Sequence, residues 1–137
     1  MKNFITFIVL IFVVIIYGCN SKKAEWKDRS KLKNLESMIV ESIDLLESKN
    51  YDEYVRLVKK PSFLSTLSSS DLKKFTAPII KNAPALIEAY NEVLKTEPRY
   101  MQYNPGMKPD NVDETVIFRL DNSFVAFDRI KDRWYHQ

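Results

Sequence analysis

The fold turns on Glu114-Thr115-Val116-Ile117-Phe118-Arg119-Leu120-Asp121-Asn122-Ser123-Phe124-Val125-Ala126-Phe127-Asp128-Arg129-Ile130. β-branched and aromatic residues dominate both halves, which marks two strands, and Asp121-Asn122 between them tolerates the left-handed backbone of a tight turn. A two-residue turn sets Leu120 opposite Ser123, Phe118 opposite Val125 and Val116 opposite Phe127. Val116, Phe118, Leu120, Val125 and Phe127 then share one face, as a hairpin with one buried side requires. A second two-residue turn at Lys131-Asp132 places Trp134 opposite Arg129 and His136 opposite Phe127, on that same face. Ile117, Phe124 and Ile130 fall on the other face, which is either covered within the domain or open to a partner.

Upstream the period changes from two to three and four. Leu32, Leu35, Met38, Ile39, Ile43 and Leu46 form one stripe of an amphipathic helix over 31–49. Asn50 with Glu53 has the form of a cap for a second helix from Tyr51 to Val58, which must stop before Pro61. Five serines between Ser62 and Ser70, with Phe63, Leu64 and Leu67, predict a loop with a packed turn. Ser70 is the expected cap of a third helix starting at Asp71. Pro78 and Pro84 predict that this helix is kinked or split, with Leu86, Ile87, Tyr90, Val93 and Leu94 striping its second part. Pro98 closes the run, and a strand over Arg99–Tyr103 leads into a loop with Pro105, Gly106 and Pro109. The expected fold is α+β: three to four helices packed on a C-terminal antiparallel sheet of three to four strands.

The first eighteen residues stand apart from this domain. Lys2 is their only charge, and Thr6 is the only polar side chain in the fourteen residues from Phe4 to Tyr17. That run is short of the roughly 20 residues needed to span a hydrocarbon core, and has the parts of an export signal. Ile16-Tyr17-Gly18-Cys19 resembles the lipobox of bacterial lipoproteins. The resemblance implies that Ile16, Tyr17 and Gly18 are read by the signal peptidase. It also implies a diacylglyceryl group on the sulfur of Cys19, the new N-terminus, and an acyl chain on its amine. The expected partition is therefore 1–18 signal peptide, 19–30 polar basic tether and 31–137 a single domain. From Asn20 to Asn34, six Lys and Arg against Glu25 and Asp28 leave a net charge of +4, suited either to a solvated spacer or to anionic headgroups. The expected location is a bacterial cell envelope: the outer membrane where there is one, otherwise the outer face of the cytoplasmic membrane.

What remains after the leader is roughly 120 residues, enough to bury a core without disulfides or metals. Loss of Lys2 lowers the net charge from +3 to +2, which gives no footing for nucleic acid. One Cys (Cys19) and one His (His136) exclude a Cys/His zinc cluster within the chain. Gly106 is the single glycine beyond the leader, so no glycine-rich phosphate loop exists. Asp110-Asn111-Val112-Asp113 lacks the glycine and closing glutamate of a calcium loop. Asp52/Glu53, Asp113/Glu114 and Glu88/Glu92 read as a cap, a loop and an exposed helix face. Ser30-Lys33 and Ser70-Lys73 match Ser-x-x-Lys. Eleven serines and 15 lysines in 137 residues give about one such match by chance, and the companion motifs of that enzyme class are missing. No catalytic residue, metal ligand or cofactor is expected beyond the lipid on Cys19.

The order of elements, and above all the ending Phe127-Asp128-Arg129-Ile130-Lys131-Asp132-Arg133-Trp134-Tyr135, resembles small exported bacterial proteins of the nuclear transport factor two-like superfamily. That superfamily includes enzymes, ligand binders and interaction modules, so the resemblance implies a fold rather than an activity. The aromatic cluster is the remaining candidate for function. Tyr90, Tyr100, Tyr103, Ile117, Phe124, Trp134 and Tyr135 either belong to the core and its rim, or line an apolar pocket between helices and sheet or an interaction surface. Two functions follow as expectations: a non-catalytic interaction domain at the membrane with a protein partner of the envelope, or a module binding a small apolar molecule.

Overall fold

The computed structural model describes residues 29–137. Among the described residues four helices precede a four-stranded antiparallel meander: α1 (Arg29–Glu47), α2 (Tyr51–Val58), α3 (Pro61–Leu64), α4 (Ser69–Val93), then β1 (Arg99–Tyr100), β2 (Glu114–Arg119), β3 (Phe124–Ile130) and β4 (Arg133–His136). The sheet order is β1-β2-β3-β4. This is the α+β class, helices first and a small sheet after. The leader, the lipobox and the tether up to Asp28 lie outside the described residues.

The hairpin register follows from the side-chain alternation. Val116 pairs with Phe127 and Phe118 with Val125, and the Leu120 N–H donates to the Ser123 carbonyl at 2.9 Å, closing a two-residue turn. Phe127 pairs with His136 and Arg129 with Trp134 across the next turn, where Lys131 takes a φ of 55°. The common face of β2, β3 and β4 is buried under the helices. α1 and α2 both pack on β4, and α4 packs on α1 and α2. Leu35, Ile39, Val55, Val93, Val116, Phe118 and Phe127 are fully buried in this layer. Apolar area removed from water at about 25 cal/mol per Å² is what holds the two halves together.

The helical half departs from the sequence expectation at four places. α4 is neither split nor ended by its prolines, but is one helix of 25 residues containing Pro78 and Pro84. Both prolines are exposed, and burial of Thr76, Ala83, Tyr90 and Val93 on the other side holds the helix together. Its cap is Ser68 rather than Ser70. The Ser68 hydroxyl accepts from the Asp71 N–H and the Asp71 carboxylate accepts from the Ser68 N–H, a reciprocal capping box. The serine-rich segment includes the single turn α3, opened by Pro61 at its first position. Asn50 does not cap α2 through its side chain, because its amide donates to the Ser48 hydroxyl.

The α1–α2 joint uses a different device. Lys49 adopts a φ of 62°, its N–H donates to the Leu46 carbonyl and the Asn50 N–H to that of Leu45, the paired bonds of a Schellman stop. β1 is also shorter than expected, two residues instead of five. After Met101 donates to the Thr115 carbonyl the chain leaves the edge, and Tyr103 turns its hydroxyl onto Thr115. Residues 101–113 thus cross the second face of the sheet, with Val112 buried.

Candidate functional site

Two buried polar networks and a set of open grooves are the places where chemistry could reside. The first network lies between helices and sheet. Tyr54 of α2, Tyr90 of α4 and His136 of β4 form a chain, with 2.8 Å between the two hydroxyls and 2.9 Å from the Tyr90 hydroxyl to His136 Nδ1. Helical spacing brings Tyr54 and Tyr90 inward beside Val55 and Val93, and strand alternation turns His136 to the same side as Trp134. The rings also pack: Tyr90 lies against Phe127 at 6.4 Å and His136 at 5.6 Å, and Phe118 meets Phe127 edge-on at 5.8 Å.

Burial sets the protonation of this chain. Desolvation, reinforced by the nearby Lys59 ammonium, lowers His136 to about 4, so its imidazole is neutral at pH 7. Desolvation raises the Tyr90 phenol well above its usual 10, and raises Tyr54 as well. A neutral imidazole bonded to a phenol, with no carboxylate hydrogen-bonded to it among the described residues, is a structural bridge rather than a poised base.

The second network occupies the opposite sheet face. Asp128 is 1 % exposed and its carboxylate accepts from Lys60 Nζ at 2.5 Å, from the Thr115 hydroxyl at 2.5 Å and from the Gln137 amide at 2.6 Å. Tyr103 closes the chain at 2.6 Å from the Thr115 hydroxyl. Burial alone pushes the Asp128 carboxyl up, but the donors from Lys60, Thr115 and Gln137 outweigh it and hold the group below its usual value. A carboxylate this fully paired is committed to structure. It ties the α2–α3 joint, the 101–113 loop and the last residue of the chain to the centre of β3.

The aromatic candidates are divided between core and surface. Tyr90, Trp134 and Tyr135 are buried, Tyr103 and Ile117 half-buried, and Tyr100 and Phe124 exposed, Phe124 at 68 %. They are not brought together: Tyr90 and Trp134 belong to the helix-facing layer, while Ile117, Phe124 and Tyr135 point from the opposite face. Of the seven, Trp134 borders an open groove of about 290 Å³, shared with Asn34, Ser37, Met38, Glu41, Leu57, Asp132 and Arg133. Grooves of about 270 Å³ beside Tyr51 and Ile80, and about 90 Å³ beside Arg56 and Leu72, touch neither network. Among the described residues no group of three His, Cys, Asp or Glu side chains is placed to hold a metal ion. No helix among them is long and apolar enough to cross a membrane.

Sequence reasoning missed Tyr54 in the first network and Lys60 and Asp128 in the second. The available signal was an acidic residue, Asp128, between apolar Ala126 and Ile130 on the same strand face. No protein-family model, curated protein or solved structure matches the chain, so the architecture and these networks are what define it.

Proposed function

We propose that this protein is a lipid-anchored lipoprotein of the bacterial cell envelope, whose domain is a non-catalytic protein-interaction module held at the membrane surface. The observation that carries this reading is the position of the single cysteine, Cys19, directly after Ile16-Tyr17-Gly18 and before a stretch, Asn20 to Asn34, of net charge +4. Two or three acyl chains give stable anchoring at about 0.8 kcal/mol per buried methylene, where one would not. The likeness to nuclear transport factor two-like proteins belongs to the same reading and rests on the helices-then-sheet order and the Trp134-Tyr135 ending.

An interaction module is favoured over a small-molecule module because Tyr90, Phe118, Phe127 and Trp134 pack in the layer that an apolar ligand would need. Catalysis has less support, since neither buried network borders a groove described above. Replacing Cys19 with Ser in cells fed radiolabelled palmitate tests the anchor. Labelling should vanish. Labelling that survives the substitution overturns the proposal.

A further inference from the structure

The outward face of α4 has no partner within the fold. Thr76, Ala83 and Tyr90 point inward at seven-residue intervals, so Lys81, half a turn from Ala83, points away from the core. From Ala77 to Ala85 Lys81 is the only charge in nine residues, and Ile80 beside it is 52 % exposed.

The chemistry of this face is symmetric about Lys81. Pro78 and Pro84 lie three residues to either side, Ala77 and Ala85 four, and Lys74 and Glu88 seven. All are exposed. Lysines (Lys73, Lys74) occupy the first half of the helix and glutamates (Glu88, Glu92) the second. A helix laid antiparallel on a copy of itself would set small residue against small residue, and Lys74 against Glu88 at both ends. The chain's own tether does not match this face. Its net charge is positive, +2 over 19–30, and would meet Lys73, Lys74 and Lys81.

We propose that α4 docks against α4 of a second copy of this chain, antiparallel, with the two-fold axis at Lys81. Alanines at 77 and 85 let the backbones approach. The Lys74–Glu88 pairs fix direction and register in the way charges flanking a helical seam do. Lys81 meets its own copy at the axis, and its long stem lets the ammonium reach water at the rim. Contact along one helix, about 33 Å from Ser70 to Glu92 at 1.5 Å per residue, lies at the low end of stable interfaces. Association is therefore weak between free copies and is favoured when copies share one surface. The inference does not depend on the lipid anchor.

Sedimentation equilibrium of the full chain in detergent, with Cys19→Ser so that no native thiol remains, tests it. Lys74→Glu and Glu88→Lys should each weaken dimerisation about tenfold or more, because two attractive pairs become two repulsive ones. The double swap, or an equimolar mixture of the two single variants, should restore it. Under mild oxidation Lys81→Cys should form a disulfide-linked dimer faster than Lys95→Cys, a position past the end of α4 and far from the two-fold axis. Unchanged helical circular dichroism confirms folding of each variant. A dimer indifferent to both reversals overturns the proposal, as does a monomer whose Lys81→Cys thiol crosslinks no faster than the control. A monomer whose vesicle binding Ala85→Glu removes would assign the face to a bilayer and overturn it too.

Discussion

His136 illustrates how a residue's role is decided by what surrounds it. On a strand one position from the C-terminus it would titrate near 6.5, yet burial beside Tyr90, with Lys59 nearby, holds it near 4. The unfolded chain therefore takes up a proton first as pH falls. Stability from the neutral imidazole is complete above about pH 6.5, declines as pH drops towards 4 and is flat below. At about 1.4 kcal/mol per pH unit the full loss is roughly 3–4 kcal/mol. Urea unfolding at pH 7.0, 5.5 and 4.5 should show this slope, and His136→Gln, which can still bond Tyr90, should flatten it. Asp128 acts in a separate window, because its depressed carboxyl gives up stability only as pH falls below the ordinary carboxylate range. A wild-type curve flat from pH 7 to 4.5 would contradict the assignment.

At the scale of elements, α4 carries the helical half's departure from its local sequence signals. Two prolines inside a helix each cost about 3 kcal/mol relative to alanine, and a splitting helix is the reasonable expectation from propensity alone. The core-facing Thr76, Ala83, Tyr90 and Val93 span both proline positions, so tertiary burial offsets what the backbone loses. The helix start must then be well defined. Ser68→Ala removes the acceptor for the Asp71 N–H and half of the reciprocal cap, and should cost about 1 kcal/mol. Ser70→Ala should cost only a few tenths. Thermal unfolding of the two variants side by side reverses the assignment of the cap if Ser70→Ala is the more damaging.

The whole molecule is closed by its last seven residues. β4 is where α1 and α2 meet the sheet, and it supplies buried Trp134 and Tyr135. Gln137 donates its backbone N–H to Ala126 and its amide to Asp128. Ending the chain at Ile130 removes all of these. Loss of a buried tryptophan alone is worth about 3–5 kcal/mol, a large share of the 5–15 kcal/mol that stabilises a domain. The truncated chain should show no cooperative transition in urea at 25 °C. A sigmoidal unfolding curve would mean that helices and hairpin form a core without β4.

Some features were legible residue by residue and others were not. The hairpin, its register and the turn onto β4 follow from alternation, since a strand with one buried face permits only one pairing of Val116, Phe118, Val125 and Phe127. The α1 stripe and α2 follow from helical period for the same reason: both signals are local and repeat several times. Continuity of α4 through Pro78 and Pro84 depends on distant side chains. So do the one-turn α3 and the early end of β1, where Tyr103 leaves the edge for Thr115. The polar networks are the clearest case. Tyr54 and Tyr90 stand 36 positions apart, and Lys60 and Asp128 stand 68 apart. Residue type alone cannot say which buried hydroxyl, amine or carboxylate will satisfy which. That pairing exists only once packing has removed water and left each group with the few polar neighbours that the fold brings beside it.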